Sequence, residues 1–208
     1  MSGRDHWEKV YRTRSATEVS WYQAEAALSL GLIRRVADHP DTPILDVGGG
    51  ASTLVDGLLD AGYRRLTVLD IAPTALAVAR QRLGDRASLV EWITADVLAY
   101  HFLEGRLAVW HDRAVFHFLT DEKDRAAYVE QTRRAVAPGG HVIVASFAPE
   151  GPDRCSGLEV MRYSPEAMHA EFGGGFRLLD SVREEHHTPT GATQAFLYCL
   201  CRIEPPGP

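Results

Sequence analysis

Three aspartates and a run of glycines carry the clearest chemical signal in the chain. Asp46 sits in the apolar run Ile44-Leu45-Asp46-Val47, which leads into Gly48, Gly49 and Gly50. Glycines let a ligand approach the backbone closely, and a helix starting just beyond them offers unpaired N–H groups. A dinucleotide fingerprint wants a third glycine for helix packing, and here that position is Thr53. A carboxylate at Asp46 repels a pyrophosphate and attracts an ammonium group. The pattern therefore favours a zwitterionic nucleoside over a dinucleotide. Asp70 follows about twenty residues beyond the glycines, where a strand-end carboxylate can accept both ribose hydroxyls. Asp96, after the run Ala87 to Ile93, can take an adenine amino group, with Ile71 and Val97 sandwiching the ring.

A second cluster, His111, Asp112, Arg113 and His117, comes just after the apolar run Leu107 to Trp110. Arg113 could grip a carboxylate through two parallel hydrogen bonds. His111 or His117 could serve as a base near neutral pH. In the plainer reading Asp112 pairs with Arg113 and His117 packs under a helix, and the residues alone do not choose between the two. Arg154 and Cys155, and His186, His187 and Gln194 further on, are additional residues that could border an acceptor.

These side chains need a frame, and strands alternate with helices along the chain to supply one. Five apolar strand-like runs begin near Ile44, Leu66, Ala87, Leu107 and His141, with helical segments between them. Pro73 suits the first turn of one helix, and Thr120 or Asp121 can cap another. Pro138-Gly139-Gly140 reads as a turn. Phe176 to Glu185 and Gln194 to Ile203 are joined too closely for a crossover helix, so they should pair antiparallel. The expected fold is an α/β, Rossmann-like, doubly wound sheet of seven strands, mostly parallel with an antiparallel last strand. Ligands of such sheets bind at the carboxyl ends of the strands, where the aspartates and the second cluster fall.

Length and composition set limits. The 208 residues fit one domain. The division expected is an N-terminal helical lid at 1–36, the main domain at 37–203 and a disordered tail at 204–208. Formal charge is -6, with no basic run, so the electrostatic footprint of a nucleic-acid partner is missing. The three cysteines make no disulfide framework, and Cys199 and Cys201 lack the spacing of a zinc site, so no metal is expected. The polar start lacks a signal-peptide core and no run spans a membrane, which points to the cytoplasm.

The glycine run after Asp46, then Asp70, then Asp96, then PGG before the fifth strand resemble the class I S-adenosylmethionine-dependent methyltransferase family. DVGGG stands where that family usually has DxGxG, and the resemblance runs from about Ile44 to Phe147. It implies that S-adenosylmethionine binds and leaves as S-adenosylhomocysteine. Gly48 and Gly50, with Gly49 between them, would border its methionine part, Asp70 its ribose and Asp96 its adenine. The strand end near His111 would meet its amino group. The segment WEKVY with a later tryptophan resembles the lid of small-molecule members of the thiopurine type. It suggests Trp7, Tyr11, Trp21 and Tyr22 as covers, with Tyr11 bonding the cofactor carboxylate. The expected activity is methyl transfer to O, N or S of a small polar molecule, with His111, Arg113 and His117 as catalytic candidates. A protein lysine methyltransferase and a non-catalytic cofactor-binding regulator remain as alternatives. Either a monomer or a homodimer fits.

Overall fold

The structure, a computed structural model, describes residues 3–205. The chain opens with helix α1 (Gly3–Thr13), a loop, and helix α2 (Ala27–Val36). Strands and helices then alternate: β1 (Ile44–Val47), α3 (Leu54–Asp60), β2 (Leu66–Asp70), α4 (Pro73–Leu83), β3 (Val90–Thr94), β4 (Leu107–Arg113), α5 (Glu122–Ala135) and β5 (Val136–Phe147). A two-stranded ribbon, β6 (Arg154–Cys155) and β7 (Leu158–Glu159), and helix α6 (Pro165–Phe172) lead to the hairpin of β8 (Phe176–His187) and β9 (Thr193–Ile203). The main sheet has seven strands in the order β3-β2-β1-β4-β5-β9-β8. β1 to β5 are parallel, and β9 runs antiparallel to both of its neighbours. The order reverses between β1 and β4, so a crevice opens at their carboxyl ends.

Two apolar cores cover the two faces of the sheet. One joins Leu32 and Ile33 of α2 and Leu54, Val55 and Leu58 of α3 to the sheet. The other joins Tyr128 and Val129 of α5 and Met168 and Phe172 of α6 to it. Strand β1 is buried along its whole length, as a central parallel strand must be. Cys199 and Cys201 point into the second core from β9, since residues two apart on a strand share a face.

Several local expectations resolve differently. The lid at 1–36 divides, because α2 belongs to the core layer and only α1 and the following loop lie above the strand ends. Residues 84–89 form a turn of 3-10 helix, which shortens the expected third strand to Val90–Thr94. β4 runs on through Arg113, so His111, Asp112 and Arg113 lie inside the strand and not beyond it. The Pro138-Gly139-Gly140 turn is absorbed into β5 as a bulge, with Gly139 at φ +83° and the pairing jumping between Leu107 and Val109. Glu204 is held by the Gly175 carbonyl and by Arg177, contrary to the expected disordered tail; residues 206–208 of that tail lie outside the described residues. Among the described residues no helix is long and apolar enough to cross a membrane.

Capping follows the sequence in two places. Asp121 accepts from the Lys123 amide at the start of α5, and Ser164 from Ala167 at the start of α6. Helix α4 has no cap of its own, and Glu8 of α1 supplies it by accepting from the Thr74 amide and hydroxyl. That contact fastens α1 to the main body and holds the Glu8 carboxyl below its usual pKa.

Period-2 geometry sends Asp112 to the face opposite His111 and Arg113. Asp112 accepts from the Val115 and Phe116 amides, at 2.8 and 3.0 Å, and from the Tyr128 hydroxyl. Tyr128 in turn accepts from Trp110 Nε1 at 2.8 Å. All of these side chains are buried. The loop can turn back onto Asp112 because Ala114 adopts φ +74°, a conformation uncommon outside glycine. Tyr128→Phe leaves a buried indole N–H and a buried carboxylate oxygen without this partner. The expected loss is about 2–4 kcal/mol, seen as a melting temperature lower by roughly 5–10 °C in calorimetry. An unchanged melting temperature would show that the network carries no stability.

Candidate functional site

The carboxyl ends of β1, β2, β3 and β4 surround two adjoining cavities, one of about 280 Å³ and one of about 50 Å³. They share Tyr11, Trp21, Val47, Gly48 and Arg113. Asp70, Ile71, Asp96 and Val97 line the larger cavity, and Asp46, Gly49 and His111 the smaller. Gly50 lines neither and lies behind the wall. A Cβ there would stand 2.6 Å from Asp70 Oδ2, and Gly50 has φ +33°. A Cβ on Gly49 would stand 2.5 Å from Asp46 Oδ2. The glycine run therefore makes room for the two carboxylates as well as for a ligand.

Asp46 and His111 lie side by side in the parallel register of β1 and β4. His111 Nδ1 donates to Asp46 Oδ1 at 2.7 Å, and His111 Nε2 meets the Ser29 hydroxyl of α2 at 2.9 Å. All three residues are buried. Asp46 is thus oriented by one oxygen, while its Oδ2 is buried without a partner. An ammonium group is the chemistry that an orphaned buried carboxylate oxygen accepts.

Asp70 ends β2 with Oδ1 accepting from the Ala72 amide at 2.8 Å. Burial, with the charge of Asp46 added, pushes its carboxyl up to about 7. Asp96 Oδ1 accepts from the Leu98 amide at 2.9 Å, so it caps its own loop while lining the cavity. Two carboxylates facing a cavity flanked by Ile71 and Val97 suit the ribose and ring of a nucleoside. The residues present therefore fit S-adenosylmethionine, with Asp46 for its ammonium group, Asp70 for its ribose hydroxyls and Asp96 for its adenine.

The catalytic candidates are placed less freely than their sequence positions implied. His111 uses both ring nitrogens structurally. His117 lines neither cavity; it is fully buried against Phe118 and Phe147 with both nitrogens unpartnered. Burial pushes its pKa down to about 3, so it stays neutral. Arg113 does not pair with Asp112. Its Nε donates to the Tyr198 hydroxyl at 2.8 Å, Nη1 to the Trp21 carbonyl at 3.2 Å and Nη2 to Glu184 at 3.2 Å. Its guanidinium also lies 4.1 Å from the Phe196 ring centre. Three of the five Arg113 donors are therefore taken up by the loop and the hairpin, and Glu184 balances its charge. Cys155 lines the larger cavity, whereas Arg154 is exposed and pairs with Glu159. His186 donates to the Ser20 carbonyl, and His187 borders an outer depression. Gln194 lines none of these cavities, and its Oε1 is buried without a partner.

The loop between α1 and α2 is held down at four points. Besides the Trp21 carbonyl on Arg113, Gln23 donates to Glu184 at 2.9 Å, Thr53 donates to the Gln23 carbonyl at 3.1 Å, and His186 holds Ser20 at 2.7 Å. Tyr11 borders both cavities and packs on Trp21; burial and the Asp70 charge raise its hydroxyl above the usual range. Ser29, Gln23, Glu184 and Tyr198 had no sequence signal, because their roles arise from contacts across 14 to 161 residues of chain.

Comparison with known proteins agrees with this geometry. Residues 44–140 match the methyltransferase domain family. The match runs from β1 into β5, just under half of the chain, and over that stretch the chain is similar to the class I S-adenosylmethionine-dependent methyltransferases. It is 29% identical over 153 residues to the eEF1A lysine and N-terminal methyltransferase of Danio rerio, covering 72% of this chain and 22% of that protein. It is 30% identical over 138 residues to the malonyl-[acyl-carrier protein] O-methyltransferase of Anoxybacillus flavithermus, covering 64% of this chain and 50% of the relative. The chain therefore spans half or less of the length of these two relatives. In fold, it superposes on the N-methyltransferase NodS of Bradyrhizobium japonicum, solved with S-adenosylhomocysteine, with a TM-score of 0.72 at 19% identity over 96% of this chain and 99% of that one.

Two outcomes follow for this candidate site. Asp70 is ordinary in the unfolded chain and raised in the folded one, so its contribution to stability is present below about pH 4 and lost as pH rises through about 7. Asp70→Asn removes that penalty. The unliganded variant should melt a few degrees higher than the parent at pH 8, with no gain at pH 4, and calorimetry should show S-adenosylhomocysteine binding roughly tenfold or more weaker. Equal affinity would show that Asp70 does not touch the cofactor. Arg113→Met should raise hydrogen exchange at the amides of residues 14–26 at least about tenfold, with exchange in β1 and β5 unchanged. Unchanged exchange at 14–26 would show that the loop is held without the guanidinium.

Proposed function

We propose that the chain transfers the methyl group of S-adenosylmethionine to a nucleophilic atom of a small molecule. One observation carries this reading: α1, held to α4 through Glu8, and the loop behind it, pinned to β4 and the hairpin, overhang the cavities and leave a partly covered pocket. Concave, overhung pockets suit metabolites more than peptide loops. The cofactor supplies an electrophilic methyl on a sulfonium. The chain's own residues would bind and orient. Asp46, fixed by His111, would take the ammonium group; Asp70 would hold the ribose; Asp96, Ile71 and Val97 would frame the adenine. The roof would exclude water and set the acceptor against the methyl, and proximity of this kind is the main source of rate in such a displacement.

A protein lysine methyltransferase is the second reading, since the Danio rerio relative bears that activity in its name. A cofactor-binding regulator is the third. Tritium-labelled cofactor, incubated with the protein and with separate small-molecule and macromolecular cell fractions, tells the three apart. Label is expected in the small-molecule fraction. Label confined to protein would establish the lysine reading, and binding of cofactor with no transfer to either fraction would establish the regulator.

A further inference from the structure

Four rings wall the larger cavity. Trp7 and Tyr11 come from α1, Trp21 from the loop behind it and Phe118 from the turn after β4. Trp7 meets Trp21 at 5.6 Å and 84°, and Phe118 at 5.0 Å and 75°; Tyr11 meets Trp21 at 6.3 Å and 77°. Rings set near right angles form a corner, so their faces look in more than one direction. Aromatic corners receive cations, because ring faces are negative and cost little to bring against a weakly hydrated ammonium.

Charge points the same way. Asp70, Asp96 and Asp124 line this cavity, and Asp46 lines its neighbour. Arg113, the cation that borders both, is neutralised by Glu184. Outside the roof a depression of about 420 Å³ continues from Tyr22 and Gln23, which also border the smaller cavity, to Glu25, Glu184 and Glu185. His186, also on that depression, is kept neutral by burial, and His187 stands beside it on the rim. An approach lined by carboxylates concentrates cations.

Proton removal is the third constraint. His111 has both nitrogens engaged and His117 lies outside the cavities. Burial pushes the Cys155 thiol up to about 11 and raises the Tyr11 hydroxyl. That leaves the lining carboxylates, of which Asp70, raised to about 7, is committed to the ribose in the reading above. An acceptor that brings a free lone pair to the methyl needs no base from this wall.

From these three observations we infer that the methyl acceptor is a small-molecule amine, received among Trp7, Trp21 and Phe118; this rests on the methyl-transfer reading above. The amine gives its proton to water before reacting. Its nitrogen lone pair then forms the N–C bond as the S–C bond breaks, with that electron pair left on sulfur. The product ammonium loses any remaining proton to water. One positive charge enters this step and one leaves it, so an acidic, aromatic pocket matches the reactants throughout. A carboxylate or thiolate acceptor would have to enter past the carboxylates of Asp96 and Asp124.

Choline and 3,3-dimethyl-1-butanol share a shape and differ in charge. S-adenosylhomocysteine binding is first measured by calorimetry. With the protein saturated by that product, choline is expected to quench tryptophan fluorescence at least about tenfold more tightly than the alcohol. In Trp7→Leu, or in Phe118→Leu if the first variant loses S-adenosylhomocysteine binding, the preference should fall to about threefold or less. Heat from S-adenosylhomocysteine without a preference for choline, including no detectable binding of either probe, overturns the amine inference and leaves the methyl-transfer reading standing. A preference that survives both substitutions also overturns it. No heat from S-adenosylhomocysteine removes both readings together.

Discussion

The Arg113 guanidinium is the point at which three separate parts of the chain are joined. It leaves the end of β4, meets Glu184 and Tyr198 on the two strands of the hairpin, and holds the Trp21 carbonyl of the roof. With little of the pair exposed to solvent, its charge and that of Glu184 depend on each other, and removing either leaves the other buried and unpaired. A planar guanidinium suits this place, since its donors leave in fixed and different directions. A lysine could reach one of these acceptors but not span all three. The cavities have walls because of β1 to β4, but they have a roof because of this contact and the Gln23, Thr53 and Ser20 contacts around it.

Below the roof, the site is built on carboxylates that the fold holds at a cost. Asp46 is aimed by His111, and His111 by Ser29, so a core helix helps set the direction of the carboxylate. The second Asp46 oxygen is left without a partner. Asp70 stays buried and carries a raised pKa. Unsatisfied buried charge of this kind destabilises an empty protein and favours a ligand that neutralises it. Asp112 shows the contrasting, structural use of the same side chain. It is equally buried, yet two amides and a tyrosine hydroxyl surround it, and it faces the α5 side of the sheet, away from the cavities.

The three strand-end aspartates, the glycine run and the strand–helix alternation were legible in the sequence. Each rests on a local rule: a parallel strand buried on both faces reads as an apolar run, and the loop at its carboxyl end is where a ligand can meet side chains and free amides. The cap at Asp121 was legible for the same reason, since a cap bonds within its own first turn. What the sequence by itself determined was therefore the sheet, its order of elements and the carboxylates that line the cavities. Only the tertiary structure decided the roles of His111, Arg113 and His117. Extending β4 by three residues put Asp112 on one face and its neighbours on the other, so an Asp112–Arg113 pair, one of the two readings, could not form. Glu184 and Tyr198 then reached Arg113 from strands 71 and 85 residues away, Ser29 reached His111 from 82 residues away, and Glu8 capped a helix 66 residues further along the chain. Such partners leave no mark on local spacing, because the packing of distant elements, and not periodicity, brings them within hydrogen-bond reach.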